Sequence, residues 1–278
     1  MRRDEFCELD VVEIHYSEWG AADAPPVVCV HGLSRVGRDF DPLARELADD
    51  YRVLCPDMPG RGLSEWSPAH YEPAAMVDLL VEFYDELGLE STRYVGTSMG
   101  GTLGIRLAAD ELADRIDALV LNDVGPEPAE DEGAEEGIQR IIDYLTNPPT
   151  YDRFSAMEAY FREAYATFNE QTDAEWTRLT RTSSRHTDDG AFTPNYDTRI
   201  VEPVVTAEPE RDPWELWERI DAPTLVLRGA SSDILGEGTF EEMLKRRPET
   251  ESLVVDCGHA PALNTDEQIS AVRSILAE

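Results

Sequence analysis

Lysine is almost missing from this chain. Lys245 is the only one, and 24 basic residues in all face 58 acidic ones, a formal net charge of −34 over 278 residues. So negative a surface excludes the usual footprint of a polyanion binder, and nucleic acid is not an expected partner. Cysteine is sparse. Cys7, Cys29, Cys55 and Cys257 are scattered with no C-x-x-C pair, which argues against a disulfide framework or a zinc ribbon. Cys29 and Cys55 sit in apolar runs, where a thiol acts as a small hydrophobe. No run of about eighteen apolar residues is present, so no transmembrane helix is expected. The first residues, Met1 to Phe6, turn acidic at once and lack the apolar core of a secretion signal. A cytoplasmic protein with no membrane partner is the expectation. G-x-G-x-x-G spacing at a strand–helix junction is missing too, and the histidines and carboxylates form no metal-ligand cluster. Neither a cofactor nor a metal is expected.

The acids run along the whole chain, locally dense only from Glu127 to Glu136, and Trp, Tyr and Phe occur throughout. A disordered acidic tail would be concentrated and poor in aromatics. The composition is similar to that of proteins from salt-accumulating halophiles. Self-repulsion on this scale would weaken a compact state, and molar salt, with a screening length of about 3 Å, would relieve it.

Several short apolar runs have the character of buried parallel strands, each ending in turn residues: Pro26–Val30, Tyr51–Cys55, Tyr94-Val95, Ala118–Leu121, Thr224–Leu227 and Ser252–Val255. Helical patterns lie between them, including Pro42 to Ala48 and Pro73 to Leu87, the latter stopped by Gly88. Strands alternating with helices predict an α/β fold, a mostly parallel sheet covered on both faces. From about Gly125 to Asp212 the alternation stops. No buried strand is predicted there; Ile138–Leu145 and Met157–Tyr165 read as helices, with hinges at Gly125–Pro128 and near Glu208-Pro209. The expected organisation is one discontinuous core, 1–124 and 213–278, with a helical cap inserted at 125–212.

The chemistry centres on Gly96-Thr97-Ser98-Met99-Gly100, which follows Tyr94-Val95 and precedes a small-residue helical pattern. A strand–turn–helix of this kind holds its serine in a strained backbone geometry, and glycine on both sides removes the collisions that Cβ atoms would cause. A serine hydroxyl needs a base that is itself oriented by a third group. His259, in Asp256-Cys257-Gly258-His259 after the last strand, is the best candidate; His15, His70 and His186 lack such a setting. Two aspartates are placed to orient it. Asp233 follows the penultimate strand and gives the chain order Ser, Asp, His; Asp123 also follows a core strand and is its rival. Asp233 is preferred. For the oxyanion, the Met99 N–H and the Leu33 N–H, from the loop His31-Gly32-Leu33, are the expected donors.

These features together resemble the α/β-hydrolase fold superfamily: His31-Gly32, the turn Asp57-Met58-Pro59-Gly60-Arg61-Gly62-Leu63-Ser64, the elbow at Ser98, Asp233 and Gly258-His259. The resemblance covers the chain outside the cap. It implies a cofactor-free acyl-enzyme mechanism on an ester-like bond of a small molecule, a carboxylesterase-like activity. It also implies that the Asp57–Ser64 turn shapes the site without being catalytic. Dehalogenases and epoxide hydrolases of this fold carry aspartate at the elbow, and this chain has Ser98. Two alternatives use the same scaffold: hydrolysis of a carbon–carbon bond, and ligand binding without turnover. Cap aromatics Tyr144, Phe154, Tyr160, Phe161, Tyr165 and Trp176 are expected mostly to pack the cap, with some free to line a pocket. Arg35 and Arg38 are expected to form surface ion pairs, although a substrate carboxylate would also suit them. Oligomeric state is not legible.

Overall fold

A computed structural model describes residues 2–9, 11–127, 139, 141–168, 171–203 and 212–277. The chain opens with a hairpin, β1 (Arg3–Glu8) and β2 (Glu13–Trp19). Then come β3 (Pro26–Val30), α1 (Asp41–Leu47), β4 (Arg52–Pro56), α2 (Pro73–Glu86), β5 (Thr92–Thr97), α3 (Met99–Ala109) and β6 (Ile116–Asn122). After β6 lie α4 (Phe154–Ala164), α5 (Asp173–Ser183), the short strands β7 (Ser184–His186) and β8 (Phe192–Pro194), and α6 (Pro213–Glu218). β9 (Thr224–Gly229), α7 (Glu237–Arg246), β10 (Glu251–Val255) and α8 (Asp266–Leu276) complete it.

The main sheet has eight strands in the order β1-β2-β4-β3-β5-β6-β9-β10, parallel from β4 onward and antiparallel at the β1–β2 edge. All six predicted strands are in it. The edge hairpin is an addition; polar and apolar residues alternate only from Glu13 to Ser17. Period-two geometry sends successive side chains to opposite faces. On β3, Val28 and Val30 join a cluster with α2, α3 and α6, while Val27 and Cys29 join another with α1 and α8. Helices therefore cover both faces, as the alternation predicts. Cys29 and Cys55 pack within the second cluster as small apolar groups. Pro73 starts α2, and Gly88, at φ 62°, follows its end as predicted.

Between β6 and β9 the structure adds to the sequence reading. Residues 141–146 and α4 are helical as expected. The pair β7–β8 forms a small antiparallel ribbon, too short to give an apolar run. Ile138, Arg140, the acidic stretch beyond Glu127 and the hinge at Glu208-Pro209 lie outside the described residues.

One buried pair ties the edge hairpin to the loop that shapes the site. His15 on β2 meets Asp57 at 2.8 Å through Nδ1 and Asp4 at 3.3 Å through Nε2. Burial works to lower the His15 pKa, but the two carboxylates outweigh it and the net shift is upward. The native state therefore favours the imidazolium. This contribution to stability is full below the unfolded pKa of about 6.5 and is lost as pH rises through the higher folded value. The His15→Gln variant should accordingly lose less thermal stability than the wild type between pH 6 and 9, measured by melting in molar salt.

Candidate active site

Ser98 sits between the end of β5 and the first residue of α3, with φ 52° and ψ −120°. A Cβ at Gly96 would stand 2.4 Å from the Gly100 carbonyl oxygen, and one at Gly100 only 2.0 Å from that of Val30. Glycine at these two positions is thus a steric requirement of the turn. The Ser98 N–H donates to the Asn122 carbonyl at 3.0 Å, tying the elbow to the end of β6.

His259 lies in the loop after β10. Ser98 Oγ is 3.0 Å from His259 Nε2, and His259 Nδ1 is 2.8 Å from Asp123 Oδ2. A carboxylate only accepts, so Nδ1 carries the proton and Nε2 is left to accept from Ser98. The histidine loop is also held by the segment between β6 and β9. The Gly258 N–H donates to the Thr167 carbonyl at 2.7 Å, and Thr167 Oγ1 donates to the His259 carbonyl at 3.2 Å.

The carboxylate at Nδ1 is that of Asp123, not the expected Asp233. β6 pairs directly with β5, so the residue after β6 emerges beside the elbow. The next strand, β9, is one place farther along the sheet. Asp123 is fully buried, in a left-handed conformation (φ 59°) that aspartate tolerates better than most residues. It accepts from the Gly229 N–H at 2.7 Å and from Ser232 Oγ at 2.6 Å as well as from His259. Three donors compensate the burial of its charge. Ser232 Oγ in turn accepts from the Ile234 and Leu235 N–H groups at 3.2 and 3.1 Å. The loop after β9 thus serves as a cradle for Asp123, while Asp233 itself is carried to the wall of a cavity beside Ser98.

That cavity measures about 280 Å³ and is mostly apolar, with Leu33, Met76, Leu103, Val124 and Ile234 on its walls. Leu33 and Met99, the expected oxyanion donors, both border it next to Ser98. The loop carrying Leu33 is fixed from behind by His31, whose Nδ1–H donates to the Gly32 carbonyl at 2.7 Å and whose Nε2 accepts from the Met58 N–H at 2.9 Å. Burial lowers the His31 pKa to about 4, so it is neutral across the working range and structural. Arg61 was not singled out by sequence, except as part of the turn. It is fully buried, and its Nε and Nη1 donate to the carbonyls of Leu33 at 2.8 Å and Pro59 at 2.6 Å. Its Nη2 lies 3.6 Å from the Met99 sulfur. Burial draws its pKa down to about 9, which leaves it cationic at neutral pH.

Of the aromatics, Phe161 and Trp176 pack with Met157 and Leu179, and Phe154 stacks edge-on with Phe192. Tyr160 is only partly buried against that group. Tyr165 belongs to the same cluster, stacked on Phe161, and together with Tyr144 it also lines a second, smaller cavity bordered by both Ser98 and His259. Arg38 pairs with Asp41, but Asp41 is buried, so this is not the surface pair expected. Arg35 does pair with Asp39, at 2.6 and 2.7 Å, but not at the surface: it is only 6 % exposed. Burial acts to lower its pKa, yet Asp39 and the Tyr165 phenol hold it above its ordinary value.

No helix among the described residues is long and apolar enough to cross a membrane. Nor do the described residues contain a group of three or more His, Cys, Asp or Glu able to hold a metal.

Comparison with known proteins agrees with this architecture. Residues 27–272 match the Alpha/beta hydrolase family. The chain is 37% identical over 268 residues to a 3-hydroxybutyrate-oligomer hydrolase of Cupriavidus necator, covering 92% of this chain and 89% of that one. The crystal structure of an α/β hydrolase from Novosphingobium aromaticivorans aligns with a TM-score of 0.88 at 34% identity, over 99% of this chain and 98% of its own. An esterase from Mycobacterium tuberculosis aligns at 0.77 with 25% identity, over 100% and 93%. With an eight-stranded, mostly parallel sheet, a serine on a glycine-flanked elbow and a match over most of its length, the chain belongs to the α/β-hydrolase family.

Proposed function

We propose that this hydrolase cleaves carboxylic esters through an acyl-enzyme on Ser98. The observation that carries the reading is the continuous chain from Ser98 Oγ to His259 Nε2 at 3.0 Å and from His259 Nδ1 to Asp123 at 2.8 Å. Ser98 Oγ attacks the ester carbonyl while His259 Nε2 takes its proton, and Asp123 stabilises the resulting imidazolium. The N–H groups of Met99 and Leu33 hold the oxyanion. The acyl–oxygen bond then breaks, His259 returns the proton to the departing alcohol, and the acyl group stays on Ser98. Water, deprotonated by the same histidine, releases the acid and restores the serine. Nothing in this sequence requires a metal or cofactor.

Residues 125–212 act as the cap and 1–124 with 213–278 as the core. Supporting this are the Thr167 bonds to the His259 loop and the Gly62 N–H donating to the Asn195 carbonyl at 3.1 Å. The cavity of about 280 Å³ is at the lower edge of the roughly 300–1,000 Å³ typical for drug-sized ligands, which suits a short acyl chain. Short hydroxyacyl esters are the substrate class we infer, in line with the Cupriavidus necator relative, whose name specifies 3-hydroxybutyrate oligomers. Four buried thiols suit a reducing cytoplasm.

A fluorophosphonate probe tests the assignment. It should add once per chain, at Ser98 by peptide mapping, with loss of p-nitrophenyl butyrate hydrolysis in proportion to labelling. Labelling elsewhere, or hydrolysis that survives full modification of Ser98, would overturn it.

A further inference from the structure

Ser98 stands between two cavities that differ in size and in the charged residues on their walls. Both share Leu33, Ser98 and Ile141, but His259 borders only the smaller, of about 50 Å³, together with Arg35, Tyr144, Tyr165 and Thr167. The proton that His259 takes from Ser98 must go to the leaving oxygen, so that oxygen has to come within reach of Nε2. The alcohol portion of an ester therefore points from Ser98 into the smaller cavity, and the acyl chain into the larger one.

The charges differ on the two sides. Asp233 and Glu127 border the larger cavity. On the other side, Arg35, Arg38 and Arg178 gather around two carboxylates, Asp39 and Asp41. Glu175 also faces Arg178, so three guanidiniums meet three carboxylates here, whereas no basic residue among the described ones borders the larger cavity. Arg35 is the member that reaches the site. Its Cγ and the Cβ of Ser98 are each 3.5 Å from the point where a Gly32 Cβ would stand. Nε and Nη2 are engaged by Asp39 and by Ser183 Oγ at 3.1 Å, and the guanidinium lies 4.4 Å over the Tyr165 ring. Nη1, although buried, has no hydrogen-bond partner among the described residues. A buried cationic N–H without an acceptor is costly, and an anionic ligand group is the acceptor that best relieves it.

We propose that Arg35 binds a carboxylate carried by the leaving alcohol, making the enzyme selective for esters of hydroxy acids. The proposal rests on the ester-hydrolase reading above. About 50 Å³ holds roughly three or four groups the size of a water molecule, enough for a carboxylate and its adjoining carbon. An oligomer of a hydroxy acid would then enter with its carboxyl end at Arg35 and its uncharged remainder in the apolar cavity. The ester bond nearest the carboxyl end is the one cut: Ser98 Oγ takes the acyl remainder, and one hydroxy-acid monomer leaves with the proton from His259.

The test compares two substrates that differ in one group, 3-(butyryloxy)butanoate and its uncharged amide 3-(butyryloxy)butanamide, in molar KCl. The wild type should favour the carboxylate about tenfold or more in kcat/KM, and Arg35→Gln should reduce that ratio to near one while Arg35→Lys retains part of it. Should Arg35→Gln fail to fold, product inhibition of the wild type decides: 3-hydroxybutyrate should inhibit at least tenfold more strongly than 3-hydroxybutyramide. Monoethyl succinate, with its carboxylate on the acyl side, should be a poor substrate. A wild type that hydrolyses p-nitrophenyl butyrate yet shows no preference for the carboxylate overturns the inference alone, as does a preference unchanged in Arg35→Gln. In that case Nη1 serves a buried water shared with the unpartnered oxygens of Asn122 and Gln171, which border a neighbouring cavity with Arg35. A wild type inactive on p-nitrophenyl butyrate as well overturns the ester reading itself.

Discussion

Asp123→Asn should lower kcat on p-nitrophenyl butyrate by about 10⁴-fold with the protein still folded. Asparagine keeps the shape of the side chain but removes the charge. It also offers an N–H where His259 Nδ1 needs an acceptor. The imidazole can then settle in the wrong tautomer, with its proton on Nε2 and nothing to take the Ser98 proton. The imidazolium that forms during attack loses its counter-charge at the same time. The Gly229 N–H, which donates to Oδ1 at 2.7 Å, would still find the amide oxygen and keep the buried loop anchored, while Ser232 Oγ, which donates to Oδ2 at 2.6 Å, would face the amide N–H. Asp233→Asn should behave differently. Its carboxylate borders the acyl cavity, so the change should act on substrate preference, within about tenfold, and leave the pH dependence of kcat intact. Steady-state kinetics of both variants, with circular dichroism as a check on folding, decides the matter. A large loss in Asp233→Asn beside a small one in Asp123→Asn would restore the assignment preferred from sequence.

That assignment fails for a reason visible in the topology. Chain order and turn chemistry place both aspartates after core strands, and either spacing leaves room to reach His259. What separates them is which strand neighbours β5, and sheet order is a tertiary property that no local pattern encodes. β6 pairs with β5 and β9 lies beyond it, so Asp123 is the nearer. Ser98, by contrast, was legible because its constraints are local. Gly96 and Gly100 clash with atoms a few residues away or on the adjacent strand if given a Cβ, and the motif records that demand. His259 was legible through its glycine turn after a strand. Arg35 shows the opposite limit. With Asp39 and Asp41 nearby in sequence it reads as a surface pair, and its burial comes from Tyr165 and Ser183, more than a hundred residues away. The β1–β2 hairpin was missed because an edge ribbon gives no continuous apolar run.

Dialysis from about 2 M KCl to about 0.02 M should unfold the protein, or lower its Tm by more than about 20 °C. With 58 acids and 24 bases, one-to-one pairing of every base still leaves the net charge of −34 unopposed. Several of the pairs that do form are exposed at the surface. The Asp173 side chain, paired with Arg162, is 94% exposed, and the Asp85 side chain, paired with Arg115, is 63% exposed, and such contacts contribute little. A chain of this length folds to a radius of gyration of about 19 Å, against about 59 Å when unfolded. Spreading the net charge over spheres of those sizes gives a Coulombic cost of compaction on the order of 50 kcal/mol at 0.01 M salt, where the screening length is about 30 Å. At 1 M, with screening over about 3 Å, the cost falls to the order of 10 kcal/mol. Proton uptake and bound counterions reduce the first figure, but a third of it would still match the roughly 5–15 kcal/mol that holds a domain folded. Two further outcomes separate repulsion from a specific ion requirement. NaCl and KCl should protect equally at equal ionic strength. Lowering the pH of the low-salt sample toward 5 should recover part of the Tm, because protonated carboxylates no longer repel one another. A Tm that stays constant between 2 M and 0.02 M KCl would mean that the charges are spaced widely enough for water alone to screen them, and the salt requirement would be wrong.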